Sequence, residues 1–391
     1  MLGHFRYDEN INYSVFSSGN GTDEYFITAA SSVNSSFSGE LTGLYKSFIS
    51  LFINTGLCPE NIVFLRFYTD DISSGKDGIL NSLFGSLFTE CAVSVIQQAP
   101  LFGGGISLFA YCIIRKSDAL QKEKQNYNAW QNSISVKGKN YELFWTANFY
   151  SAASPNVYQQ TTQVFQTLTE TLGQKNMTLL DNTLRTWIYV DDIDSNYSAM
   201  TDARKKYFLE QGLNSKTRYI ASTGINGKPL KENSLVMMDA LSIGGLTKEQ
   251  LIRMEAPNHL CPTINYGVTF ERGTRVRYGD RSHLLISGTA SIDKNGNTLY
   301  KGDIAKQTLQ TLENIKALLH GQNAGFGDLA YFIVYLRNKS DKDIVRKIIS
   351  DETENALPVL FVEGAVCRPD WLVEIEGIAI IEDRNGFGEF L

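Results

Sequence analysis

Apolar and polar positions along the chain follow two periods that take turns in a fixed order. Alternation at every second residue predicts half-buried strands, and apolar residues spaced i, i+3, i+4, i+7 predict helices packed by one face. Three strands end in small or hydroxyl side chains: Tyr25–Ala30, Leu143–Asn148 and Leu284–Thr289. An amphipathic helix is predicted after each, near Glu40–Phe52, Gln160–Leu172 and Ile304–Leu319. A long β-rich stretch follows in all three cases, over Asn61–Ile72, Asn182–Ile193 and Asp328–Lys339. Second helices are expected at Gly78–Phe88, Ala199–Gln211 and Asp341–Ile349, with Asp, Ser or Asn near their starts as caps. Two more strands close each round: Ala92–Gln98 with Ile106–Ile114, Tyr219–Ile225 with Ser234–Ile243, and Pro358–Val366 with Leu372–Ile380.

The recurrence has the form of an internal repeat. The first two copies match without gaps at Asn61/Asn182, Tyr68/Tyr189, Asp70/Asp191, Asp71/Asp192 and Ile72/Ile193, and Tyr335 falls in register with Tyr189. The chain therefore reads as three tandem ββαβαββ-like α/β (α+β) units at 1–118, 126–244 and 263–391. Polar connectors are expected between them at Arg115–Asn126 and Gly244–Pro262. Composition agrees with this division. A chain of 391 residues suits two or three domains, and 43% hydrophobic with 20% charged residues is globular. The net charge of −6 lacks the basic field that holds nucleic acid. No apolar run is long enough to span a membrane, and Met1–Asn20 lacks a basic-then-apolar leader, so a soluble, cytoplasmic chain is expected. Five widely spaced cysteines without a CxxC pair, and four scattered histidines, point away from disulfides, metal or another cofactor.

The third copy carries a family resemblance. Ile286-Ser287-Gly288-Thr289-Ala290-Ser291, Gly302-Asp303, Gln307-Thr308 and Leu372–Ala379 resemble the Rid (YjgF-like) family. That resemblance implies chorismate-mutase-like units arranged as a trimer with ligand clefts between neighbours. Three copies in one chain would then form a monomeric pseudo-trimer. The second and third copies together look more like the chorismatases, among them the 3-hydroxybenzoate synthases. The residues carrying this likeness are Arg185-Thr186-Trp187 with Tyr189, Asp202-Ala203-Arg204 with Tyr207-Phe208, and Ala221–Ile225. They continue through Tyr266-Gly267, Phe270-Glu271-Arg272-Gly273 and Val366-Cys367-Arg368 before Glu374. The implied activity is cleavage of the enolpyruvyl ether of chorismate, a small carboxylate, in one cleft between the second and third units.

Comparison of the copies singles out one acid. Leu235–Leu241 lies over Leu372–Ile378, so Met237 stands in the place of Glu374 and Asp239 in that of Glu376. In the first copy, Leu108 and Ala110 are expected at those places. Glu374 and Glu376 share one strand face, and an apolar mate at the first position marks a dry site in which desolvation raises a carboxyl pKa. Glu374 is thus the candidate general acid. Acid cleavage protonates the terminal methylene carbon and leaves an oxocarbenium ion for water or the ring hydroxyl to trap. Fixed cations must hold the two carboxylates, and Arg204 and Arg272 are the first candidates, with Arg185, Arg337 and Arg368 behind them. Tyr219, Thr223 and Tyr266 could donate hydrogen bonds to the ligand. In the resemblance, a Gly and a Cys at Gly273 and Cys367 go with the 3-hydroxybenzoate-forming type. Imine-hydrolysing Rid proteins carry an arginine where Val359 stands, which disfavours imine or enamine deamination. The remaining alternative is a non-catalytic protein that binds a small carboxylate metabolite. Gly103-Gly104-Gly105 precedes a strand rather than a helix and lacks a following Lys-Ser/Thr, and reads as a turn or bulge.

Overall fold

The computed structural model describes residues 1–34, 36–263, 267–353 and 356–391. Three six-stranded mixed sheets organise them. The first contains β1 (Leu2–Arg6), β2 (Ile11–Ser17), β3 (Thr22–Ala30), β4 (Ile62–Thr69), β5 (Ala92–Gln97) and β6 (Ile106–Arg115), in the order β1-β2-β3-β6-β4-β5. Its helices are α1 (Phe37–Thr55) and α2 (Ile72–Leu80). The second contains β7 (Gln121–Asn126), β8 (Asn132–Lys137), β9 (Glu142–Tyr150), β10 (Thr183–Val190), β11 (Ala221–Asn226) and β12 (Val236–Gly244), in the order β7-β8-β9-β12-β10-β11. With it go α3 (Val157–Gly173), α4 (Leu179–Asn182) and α5 (Ile193–Glu210). The third contains β13 (Leu251–Arg253), β14 (Gly273–Arg277), β15 (Arg281–Thr289), β16 (Leu329–Leu336), β17 (Val359–Glu363) and β18 (Val373–Glu382), in the order β13-β14-β15-β18-β16-β17, with α6 (Ile304–His320) and α7 (Lys342–Glu352). The repeat is thus a repeat of topology. Each sheet has a single parallel pair, β4/β5, β10/β11 or β16/β17, and a parallel pair needs a crossover, which α2, α5 and α7 supply.

Local chemistry explains where the helices begin. The side chains of Ser36, Asn156 and Asp303 accept hydrogen bonds from backbone N–H groups in the first turns of α1, α3 and α6. Asp71 does the same for α2, capping Ser73 and Ser74 directly after β4. That cap moves the second helix of the first unit ahead of the expected Gly78–Phe88. It runs from Ile72 to Leu80, and a 3-10 turn, Leu83–Leu87, follows.

Two stretches expected as connectors are edge strands. Within β7, Lys122 and Lys124 share a face and donate to the carbonyls of Ile62, Glu90 and Cys91 in the first unit. Their charge therefore serves a contact between units. β13 pairs with β14 as the outer strand of the third sheet.

The sheets meet around a shared core in which β4, β10 and β16 are buried along their whole length. Tyr68, Tyr189 and Tyr335 occupy matching places on these strands, opposite Ser107, Met237 and Glu374. Two residues on lie Phe109, Asp239 and Glu376. The first-copy residues are therefore Ser107 and Phe109. The expected Leu108 and Ala110 are one residue out of phase.

Three buried ion pairs join the units in a ring: Arg66–Asp239 at 2.9 Å, Arg185–Glu376 at 2.5 Å and Arg281–Glu24 at 2.7 Å. Each links a different pair of units. Burying charge in this way requires every partner to be present, because a lone buried ion is strongly unfavourable.

Candidate active site

A cavity of about 230 Å³ opens between the second and third units. It lies below the roughly 300–1,000 Å³ of typical ligand pockets, so its occupant is limited to about one ring with short substituents. Glu374 enters it from β18, Arg204 and Tyr197 from α5, and Arg272 from the residue before β14. Cys367, Arg368 and Trp371 line it from the loop before β18, and Ser222 and Gly224 from β11. Five sequence candidates, Glu374, Arg204, Arg272, Arg368 and Cys367, therefore share one cleft.

Glu374 is 4% exposed. Burial pushes its carboxyl up to about 8, and the negative charge of Glu376 adds to the rise, while Arg185 and Arg272 oppose it. Near neutral pH the group holds a proton it can donate. Space for it comes from a glycine: a β-carbon at Gly288 would collide with Glu374 Oε1. The variant Gly288→Ala is expected to cost no more than about 1–3 kcal/mol, since only the end of a side chain must move. If Glu374 is the acid, the displaced carboxyl should lower turnover by about 10²-fold, because reacting groups misplaced by ~1 Å lose that much. Denaturation midpoints and kinetics on one preparation check both halves.

Glu376, on the same strand face, has a different role. Its carboxylate accepts from Trp187 Nε1 at 2.8 Å and Tyr335 Oη at 2.9 Å, besides the Arg185 ion pair. Thr223 donates its hydroxyl hydrogen to the same carboxylate, and accepts from Arg185 Nη2 and from the Gly288 N–H. The one hydroxyl hydrogen of Thr223 goes to Glu376, and Thr223 does not line the cavity. Arg185 is a buried partner of Glu376 and does not line the cavity.

The remaining candidates sort by position. Arg272 donates Nε and Nη2 to the Cys261 carbonyl at 3.3 and 3.2 Å, and lies over the Phe270 ring at 5.5 Å. Tyr219 lines an adjoining pocket of about 100 Å³ that shares Arg272 and Phe270 with the Glu374 cavity. Gly273 does not line the cleft. A β-carbon there would press on Leu285 O and Met254 Sδ, each at 2.9 Å, so this glycine is a packing residue. The Cys367 thiol is pushed up to about 12, by burial first and then by Glu374, and stays neutral. Arg337 pairs with Asp194 at 2.8 Å and donates to carbonyls of the loop that carries Cys367 and Arg368. Arg368 stacks on Trp371 at 4.5 Å and donates to Gly296 O at 2.9 Å. Tyr266 lies outside the described residues. Sequence reasoning missed Tyr197 and Trp371. Tyr197 stands two helical turns before Arg204 on one helix face, which was its available signal.

Val359 belongs to another cleft, between the third and first units. The register mate facing Glu374 is Ser222, opposite Thr186 as Val359 is opposite Phe332. It is not an arginine either.

A ring of three repeated units, with a small cleft between the second and third that holds a buried glutamate beside arginines, defines the class. Comparison with known proteins supplies the family. Residues 276–381 match the family described as Endoribonuclease L-PSP. A RutC family protein of Pyrococcus horikoshii is 35% identical over 100 residues, covering 25% of this chain and 79% of that protein. The chain belongs to this family, also called Rid. A 3-hydroxybenzoate synthase of Streptomyces hygroscopicus is 33% identical over 131 residues, 29% of this chain and 38% of that protein. A chorismatase of the same organism is 28% identical over 252 residues, 59% of this chain and 67% of that protein. The matches thus span between about two fifths and two thirds of these two relatives. A solved chorismatase structure covers 82% of this chain and 93% of its own, with TM-score 0.60 and 18% identity, so the fold is shared. Among the described residues no helix is long and apolar enough to cross a membrane.

Proposed function

We propose that the protein cleaves the enolpyruvyl ether of chorismate, with Glu374 as general acid. The observation that carries this reading is a buried carboxyl, raised to about 8, in one small cleft with Arg204 and Arg272. The similarity to a chorismatase and a 3-hydroxybenzoate synthase supports the choice of substrate. Glu374 gives its proton to the terminal methylene carbon, and the ether oxygen stabilises the resulting cation. Water or the neighbouring ring hydroxyl captures that cation and returns a proton to the Glu374 carboxylate. A water adduct then breaks at the ether carbon to give pyruvate and a dihydroxy-diene acid. The cyclic adduct breaks both the C–O bond from the ring hydroxyl's carbon and the ether carbon–oxygen bond, and the ring loses a proton, which gives pyruvate and 3-hydroxybenzoate. The arginines hold the two carboxylates by charge-assisted hydrogen bonds. Chorismate contains the atoms of pyruvate plus a hydroxybenzoate, so no oxidant or reductant is required. Cys367, neutral in the cleft wall, supports a 3-hydroxybenzoate-type product.

Incubation of the purified chain with chorismate tests this, following pyruvate and resolving the ring products. Pyruvate with 3-hydroxybenzoate is expected. Pyruvate with a dihydroxy-diene acid would keep the acid and discard the product. Absence of pyruvate would overturn the reading in favour of a binding protein. The pH profile adds a second check, because only the protonated carboxyl can act. Activity should hold through neutral pH and fall above about 8, and a rise through that range would contradict the role of Glu374.

A further inference from the structure

The three clefts of the ring are not equivalent. Carried across the sheets through paired residues, the register that aligns Glu374, Ser107 and Met237 also aligns Arg272, Asn12 and Asn132. Between the first and second units, the Asn132 amide bonds both the N–H and the C=O of Val93 at 2.9 Å, and Asn148 bonds Val95 N–H and Val93 C=O. Those side chains stitch the cleft shut along β5. Between the third and first units the cleft stays open, with a cavity of about 250 Å³.

Ser107 and Asn12 line this open cleft in the places of the glutamate and the arginine. Ser107 is 1% exposed, and its Oγ and Asn12 Oδ1 are buried atoms without a hydrogen-bond partner among the described residues. Orphaned buried polar groups are unfavourable unless a hydrogen-bonding partner reaches them. Phe102 and Phe361 supply apolar walls, their rings edge to face at 5.2 Å. Arg346 stands at the exposed mouth, its guanidinium 4.1 Å from the Phe102 ring centre and 3.1 Å from Asp343.

We propose that this cleft is a second, non-catalytic site for a small aromatic acid carrying a hydroxyl para to its carboxylate. The hydroxyl donates to Asn12 Oδ1 and accepts from Ser107 Oγ at the floor, the ring lies against Phe102 and Phe361, and the carboxylate faces Arg346. With serine in the place of Glu374, the ligand is held and released unchanged. The assignment stands whether or not Glu374 is an acid.

Calorimetric titration of the full chain with 4-hydroxybenzoate, and with benzoate as the probe lacking the hydroxyl, tests it. The hydroxylated acid should bind about tenfold more tightly or better, and Asn12→Leu should erase that preference while Asn12→Asp retains it. Arg272→Leu, in the other cleft, should leave the preference intact. If Asn12→Leu does not fold, Ser107→Ala, which only trims a hydroxyl, should still reduce the preference. No binding at millimolar probe, equal binding of benzoate, or loss through Arg272→Leu alone would each overturn the proposal.

Discussion

Replacement Glu374→Gln is expected to lower chorismate turnover by about 10²–10⁴-fold, the usual contribution of a positioned general acid. The amide keeps the shape and the neutrality of the protonated carboxyl, so binding should change little and the loss should appear in kcat. Pyruvate release under single-turnover conditions separates the two, and a residual rate within about tenfold of the parent would remove Glu374 from the chemistry. A stability measurement gives an independent reading of the same group. A carboxyl whose folded pKa exceeds its unfolded value binds its proton more tightly in the native state, so stability is greatest in acid and falls as pH rises from about 4.5 to about 8. Glu374→Gln should flatten that fall. Equal slopes in the two proteins would show that Glu374 titrates normally.

Arg185→Met should be the most damaging single change to stability, at about 3–5 kcal/mol, because it strands the Glu376 carboxylate inside the protein. Trp187, Tyr335 and Thr223 still donate to that carboxylate but cannot neutralise it. The double variant Arg185→Met/Glu376→Leu should recover much of the loss, since an apolar replacement of a buried pair is often neutral or better. By contrast, Arg346→Ala breaks an exposed pair with Asp343 and should change stability by less than about 1 kcal/mol. Urea denaturation of the four proteins checks the order. A loss below about 1 kcal/mol for Arg185→Met would mean that water reaches Glu376.

The order of elements was legible because the long helices bury one face and so carry a clear period, while polar and turn-forming residues punctuate the apolar strands between them. The phase of β6 was not. Residues Ile106–Ile113 are buried on both faces, alternation vanishes, and nothing in the sequence separates Ser107 from Leu108 as the mate of Glu374. Edge strand β7 was hidden for the opposite reason. Its lysines look like solvent-facing residues until the carbonyls of the neighbouring unit are placed beside them. In the site, Glu374 stood out against Met237 at the same register. The fate of Thr223 could not be read, because it depends on Glu376, 153 positions further along the chain and in another unit. Pairings of that kind exist only once the sheets are packed.

The differing residues at Glu374, Ser107 and Met237 have a consequence that a ring of identical chains could not share. In a homotrimer every substitution is written three times, so an acid kept protonated by burial would burden each interface alike. A single chain confines that burden to one interface. The other two are then at liberty to be sealed, as at Asn132 and Asn148, or, as proposed for the cleft of Asn12 and Ser107, turned to a different cargo.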